Sequence, residues 1–258
     1  MRYVWATLVA VSAIAGVWLW DLREAALRPM KEVRTLPFDA ASHTVVPKTN
    51  TIRYAAGDYD DPRLHRAMRC TIDDVLNSGV ISTEWWAEYD RAESEGLEAS
   101  GVLARAEAGE HDAMLIVAFH YAGDDSQNEL ARDWLLRAGE AGIGSAQYEI
   151  GYGYVNGAFG FETDIKQGRQ WLERAIGNGD QIAGYGLARL YRTSLIQPPD
   201  GETRGPFELA FDTNLHSAQY CYAAALEDLA RDFTRGHAVE RDLAAAGHLR
   251  RLVSLSGG

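Results

Sequence analysis

Apolar positions along the chain change rhythm twice. From Tyr3 to Trp20 no charge interrupts them, and the run ends at Asp21. Eighteen such residues just suffice for a membrane-spanning helix. A cleaved signal peptide is the rival, with Arg2 as basic start and Ala13-Ile14-Ala15 as a small-x-small site, and a buried helix is the third reading. Cleavage there leaves Val17, Trp18, Leu19 and Trp20 on the mature chain, and Trp18 and Trp20 look more like interfacial anchors. Residues 1–21 are therefore expected to be a membrane anchor or signal segment. Residues 22–60 show no helical period; Pro37, Pro47 and "TVVP" mark an extended linker.

From Asp61 onward the pattern turns helical. "DDPRLHRAMRCTIDDVLNSG" has an Asp cap and Pro62 in the first turn, and is expected to run to Gly79. "STEWWAEYDRAESEG" starts at Ser82 or Thr83 and sets Trp85, Trp86 and Tyr89 on an apolar stripe. "LEASGVLARAEAG" gives a third, short helix. Together residues 61–109 are expected to form an N-terminal helical cap.

The remainder repeats itself. "EAG" at 107–109 recurs at 140–142, and a third helix-ending glycine stands at 179. Four residues after each lies Ala113, Ala146 or Ala183, and eight further on Tyr121, Tyr154 or Tyr191. The alanine spacings, 33 and 37 residues, are those of a stacked helix-pair solenoid. Ala146 and Gly151 are small enough for a paired helix to approach; Tyr154 and Trp171 fill the space between helices. Asp164 is placed to cap the second helix and Gly179 to stop it.

"YGYVNGAFGFETD", residues 152–164, looks at first like a phosphate-binding loop. Its glycines do not spell the dinucleotide fingerprint and no strand precedes them, so it reads as an inter-helix turn.

The unit resembles the Sel1-like repeat, a relative of the tetratricopeptide repeat. The second repeat carries the resemblance through Ala146, Ile150, Gly151, Tyr154, Gly157, Gly160, Phe161, Asp164, Trp171, Arg174, Ala175 and Gly179. It departs by one extra residue between Gly157 and Gly160 and by Gly168 where the family has alanine. In the last repeat Phe233, Gly236, Val239 and Asp242 match, Leu249 takes the Trp place and Gly257 the final Gly. The first repeat has a truncated loop after Tyr121. The third carries a long insertion, "TSLIQPPDGETRGP". The resemblance implies an all-α, right-handed helix-pair solenoid of about four Sel1-like repeats over residues 110–258.

It also implies protein binding. By analogy with tetratricopeptide repeats, the first helices line a concave face at positions two and six after each repeat alanine. These are Leu115 and Phe119, Tyr148 and Tyr152, Tyr185 and Arg189, Glu227 and Arg231, with Arg192 nearby. Tyr and Arg are enriched at interface hot spots, although such tyrosines also pack between repeats. Members act as envelope adaptors, signalling regulators and immunity proteins against secreted toxins. The implied partner is a toxin effector, of a type VI-like system, or a resident envelope protein.

Composition narrows this. A net charge of −12 repels phosphate backbones, which argues against nucleic acid. His111 and His120 share no helical face with an intervening carboxylate, His65 and Cys70 are a poor ligand pair, and HExxH and G-x-S-x-G are missing. Asp73/Asp74 and Asp124/Asp125 read as caps and turns. The expectation is a non-enzyme with no metal and no cofactor. Cys70 and Cys221 fit no metal spacing and are expected to be unpaired, buried, small apolar residues, with one long-range disulfide as the alternative. Arg23, Arg28, Lys31 and Arg34 follow the span, which taken literally favours a cytoplasmic body. Because members are often exported, the expected placement is the bacterial inner membrane with a periplasmic body, or the periplasm if the segment is cleaved.

Overall fold

Asp61 caps the first described helix as its sequence suggests: the side chain accepts a hydrogen bond from Arg63 N at 2.8 Å, and Pro62 opens α1 (Pro62–Ala67). The computed structural model describes residues 61–78 and 82–256. The expected anchor, the linker, Gly79 and Gly257 lie outside them. No helix among the described residues is long and apolar enough to cross a membrane.

The expected single helix from Pro62 to Gly79 is instead two. Met68 to Cys70 turn out of α1, and Thr71, in an extended conformation, starts α2 (Ile72–Leu76). Thr71 Oγ1 accepts from Asp74 N while Asp74 accepts from Thr71 N, a capping box that makes a fresh start cheap. α3 (Thr83–Glu95), capped by Ser82, and α4 (Val102–Glu107) follow. Four helix pairs complete the chain: α5 (His111–Ala122) with α6 (Asn128–Glu140), α7 (Gly144–Asn156) with α8 (Ile165–Gly177), α9 (Ala183–Arg192) with α10 (Pro206–Ala218), and α11 (Ala223–Arg235) with α12 (Leu243–Ser256). Each helix also packs on the one that follows, so consecutive pairs stack.

The repeat register holds at atomic level. Gly157 and Gly236 both stop a first helix in the left-handed conformation, at φ +69°, and donate to the carbonyls of Gly153 and Asp232 at 2.8 Å. In the same way Asp164 N donates to Tyr154 O at 2.8 Å and Asp242 N to Phe233 O at 3.0 Å. Both aspartates then cap the next helix, Asp164 through Gln167 N and Asp242 through Ala244 N and Ala245 N. Trp171 and Trp134 are buried, and Arg174 and Arg137 lay their guanidiniums over these rings at 3.9 and 4.2 Å. Leu249, in the Trp place of the last repeat, is fully buried.

Gly168, the departure from the family's alanine, has a steric reason. A Cβ there would lie 2.9 Å from Gly151 O and 2.7 Å from Val155 Cγ2; one on Gly151 would lie 2.8 Å from Leu172 Cγ. α7 and α8 cross on two glycines.

The expected N-terminal cap is divided between two places. α3 and α4 pack on α5, extending the stack by a short pair. α1 and α2 pack instead on α10 and α12, in the last two repeats. Leu64, Ala67 and Val75 share a core with Phe211, Leu215, Ala218, Leu249 and Leu252. Arg63 donates to Asp61 and Asp212, and Asp212 also accepts from Arg204 at the end of the third-repeat insertion.

Cys70 and Cys221 are not free thiols. They form a disulfide, with Cα atoms 5.7 Å apart, joining the end of α1 to the turn between α10 and α11. The packing of α1 on α10, which the repeat pattern does not encode, is what brings them together. Closing a loop over a sequence separation of 151 residues is worth about 5 kcal/mol in the chain-entropy model, and native disulfides deliver about 2–5. Cys70→Ser/Cys221→Ser is therefore expected to lose about 2–5 kcal/mol in urea unfolding with helical content retained. Reductant should shift the wild-type midpoint equally. A shift under about 0.5 kcal/mol, within the range of neutral surface substitutions, would mean that apolar packing alone holds α1.

Candidate functional site

The first helices α3, α5, α7, α9 and α11 meet through their side chains along one row. Trp85 of α3 stands edge-on to Phe119 of α5, with centroids 5.9 Å apart, and Phe119 meets Phe159 at 6.4 Å. Tyr148 of α7 reaches Gly186 of α9, where a Cβ would sit 3.5 Å from the Tyr148 ring. Tyr185 of α9 meets Tyr222, at the start of α11, edge-on at 5.5 Å. That is ordinary van der Waals distance, so the Tyr148 ring lies directly against the neighbouring helix. The tyrosine band is thus built by the stacking itself.

Of the residues expected to meet a partner, Leu115 is buried in the core and Phe119 is half-buried between aromatic rings. Tyr148, Tyr152 and Tyr185 are half-buried, with Tyr148 against the core of α8–α10 and Tyr185 against that of α10–α12. Arg189 is exposed, its guanidinium 5.9 Å from the Tyr185 ring. The other three charged residues are engaged within the chain. Arg192 donates in bidentate fashion to Asp232, at 2.6 and 2.7 Å, and stands 3.5 Å from Asp228. Arg231 pairs with Asp228, and Glu227 lies 3.6 Å from Arg250. The position rule placed Glu227 and Arg231 on the row with Arg192 nearby, but buried aspartates take up the charge of both arginines and Arg250 stands against Glu227.

The fold has counterparts among known proteins. No family model matches the chain. Over 62 residues, 24% of this chain and 9% of the relative, it is 39% identical to the chitin synthase regulator SKT5 of Saccharomyces cerevisiae. A Sel1 repeat protein from Oxalobacter formigenes superposes with a TM-score of 0.56 at 22% identity, over 67% of this chain and 72% of that one. The chain carries the Sel1-repeat fold. A second Sel1-type structure, c5321, a protective antigen present in uropathogenic Escherichia coli strains, gives 0.52 at 23% identity over 61% of this chain and 33% of that one. The chain thus spans small parts of the yeast regulator and of c5321.

Within this Sel1-type solenoid, four polar residues of the row escaped the repeat rule. Asp228 and Asp232 are buried on α11, one helical turn apart. Burial pushes the Asp232 carboxyl up, and Arg192 beside it pulls in the opposite direction. Asp228 and Asp232, four apart on one helical face of "AAALEDLARDF", were the available signal. Glu149 is half-buried, and its Oε2 is withdrawn from solvent without a hydrogen-bond donor. Burial, and then nearby Asp180, raise its carboxyl to about 8. Asp180 is raised by burial too, although it accepts from Ile182 N and Ala183 N at the start of α9. Tyr148 and Tyr222 are raised chiefly by burial, which marks the band as poorly hydrated.

These assignments separate structural from surface charge. Arg192→Ala leaves the buried Asp232 carboxylate without its cation, while Asp228 keeps Arg231, and is expected to cost about 3–5 kcal/mol. Arg189→Ala should stay within about 0.5 kcal/mol. Equal effects in chemical denaturation would refute the distinction. Glu149 gives a pH test. Its folded carboxyl keeps a proton that the unfolded chain releases above its ordinary range, so stability falls as pH rises towards 8. Glu149→Gln should remove that fall and gain on the order of 2 kcal/mol at pH 8.5, with little gain at pH 4. Parallel wild-type and variant stability curves from pH 4 to 8.5 would contradict it.

Proposed function

We propose that this chain is a non-enzymatic protein-binding solenoid of the cell envelope, acting as an immunity protein that neutralises a secreted, type VI-like toxic effector. The observation that carries the binding reading is the band of Tyr148, Tyr152, Tyr185 and Tyr222 across three stacked helices, with exposed Arg189 beside it. Tyrosine supplies large contact area at small entropic cost, and an uncommitted arginine matches a partner carboxylate with a fixed fork. The Cys70–Cys221 disulfide supports a body outside the reducing cytoplasm, in keeping with a periplasmic location and an N-terminal anchor or signal.

The alternative is an envelope scaffold or regulator bound to a resident signalling or polysaccharide-assembly partner. The short match to a yeast regulator of chitin synthase favours that reading.

One experiment tests the binding face and a second divides the readings. A photo-crosslinking residue at Arg189 or Tyr152 should trap one discrete partner in intact cells, and one at Gln170 or Glu173, exposed on a second helix, should not. Equal trapping from both helices would reject the face. Deleting the gene should then lower survival at least tenfold when cells are attacked by sister cells with an active secretion system. Unchanged survival with a trapped resident enzyme assigns the regulator role instead.

A further inference from the structure

Beside the disulfide lies a cleft of about 340 Å³, at the small end of ligand-sized sites and remote in function from the tyrosine band. Cys70 and Cys221 both line it, so the covalent link fixes α1 against the turn that forms the other side. His65, Arg66 and Arg69 also line it. They are three or four residues apart along α1 and the turn that ends it, a spacing that sets His65 and Arg66 on the side of Arg69. All three are exposed, and their side chains make no hydrogen bond or ion pair with the described residues. Neighbouring Arg63 is different: its guanidinium is held between Asp61 and Asp212.

Two neighbouring exposed guanidiniums, Arg66 and Arg69, stand out on a chain of net charge −12. The overall negative field does not cancel them, because screening at physiological salt confines charge effects to about 8 Å. One acid, Asp74, also lines the cleft and feels the charge of Arg66. Its Oδ2 accepts from Thr71 N and Thr71 Oγ1, both at 2.8 Å. Those bonds hold its carboxyl below the usual range and orient it, leaving Oδ1 to accept from a hydroxyl.

We propose that this cleft binds a phosphate group, with the Arg66 and Arg69 guanidiniums and the His65 ring as donors, and that Asp74 accepts from a hydroxyl of the same ligand. Two guanidinium forks and an imidazole offer more donors than one carboxylate can use, whereas the oxygens of a phosphate fill them. A glycerol phosphate joins both features, either as a free small molecule or as the headgroup of an anionic lipid.

The test uses the full chain with its disulfide intact and three probes: inorganic phosphate, sn-glycerol 3-phosphate, and vesicles of phosphatidylglycerol set against phosphatidylcholine. Calorimetry reads the soluble probes and flotation reads the vesicles. Arg66→Gln/Arg69→Gln is expected to weaken at least one phosphate probe tenfold or more, with Arg69→Gln alone giving a smaller loss. Loss confined to glycerol phosphate or phosphate assigns a soluble ligand; loss confined to phosphatidylglycerol vesicles assigns a headgroup. Arg235→Gln/Arg251→Gln, which removes two other exposed arginines, controls for bulk charge. Circular dichroism and thiol titration verify fold and disulfide. Binding unchanged by the Arg66 and Arg69 substitutions, lost equally in the control, or undetected with every probe would overturn the proposal.

Discussion

Everything in this solenoid hangs on how closely one helix can approach the next. Backbones come within contact only where side chains vanish. Gly151 and Gly168 let α7 and α8 cross with room for no further carbon, and Gly184 plays the same part between α9 and α10, where a Cβ would stand 2.5 Å from Thr213 O. Close crossing lets each large ring cover two helices at once, as Trp171 does in the core. Buried amides brace the joints: Gln147 donates to Gly139 O and accepts from Asn178, and Asn214 donates to Ala225 O. Gln147, bonded through both its nitrogen and its oxygen, fixes orientation where apolar contact alone would allow sliding.

The row of first helices shows two ways of managing polar groups in a crowded place. Around α11 the acids meet a cation, and Arg192 between Asp228 and Asp232 is a structural strut. Around α7 no such cation meets Glu149 among the described residues, and its acid form is favoured by its surroundings. The first arrangement makes the row rigid; the second leaves a group whose charge depends on what covers it.

Much of the fold was legible because the repeat is written locally. Asp164 and Gly157 each act within a few residues of themselves, and Trp171 recurs at the same place in the unit as Trp134, so sequence spacing encodes their roles directly. The site was legible only in part. Spacing put Tyr148 and Tyr185 on the right row with Arg192 nearby, but whether an arginine is exposed or consumed depends on an acid 40 residues away, as with Arg192 and Asp232. The disulfide and the placement of α1 were not legible for the same reason taken further. They depend on a contact between Cys70 and Cys221 that spans most of the chain, and no periodicity reports it.

Solenoids ordinarily grow and shrink by whole units, because each repeat touches only its neighbours. Here α2 packs on the last helix, and the chain must reach from Leu76 to the start of the stack at Thr83. Seven peptide links cover at most about 25 Å. Inserting or deleting a repeat would therefore break the seam at one end or overstretch it at the other. The chain gives up the modular evolvability of its architecture, and its repeat number is locked by its own N-terminal helices.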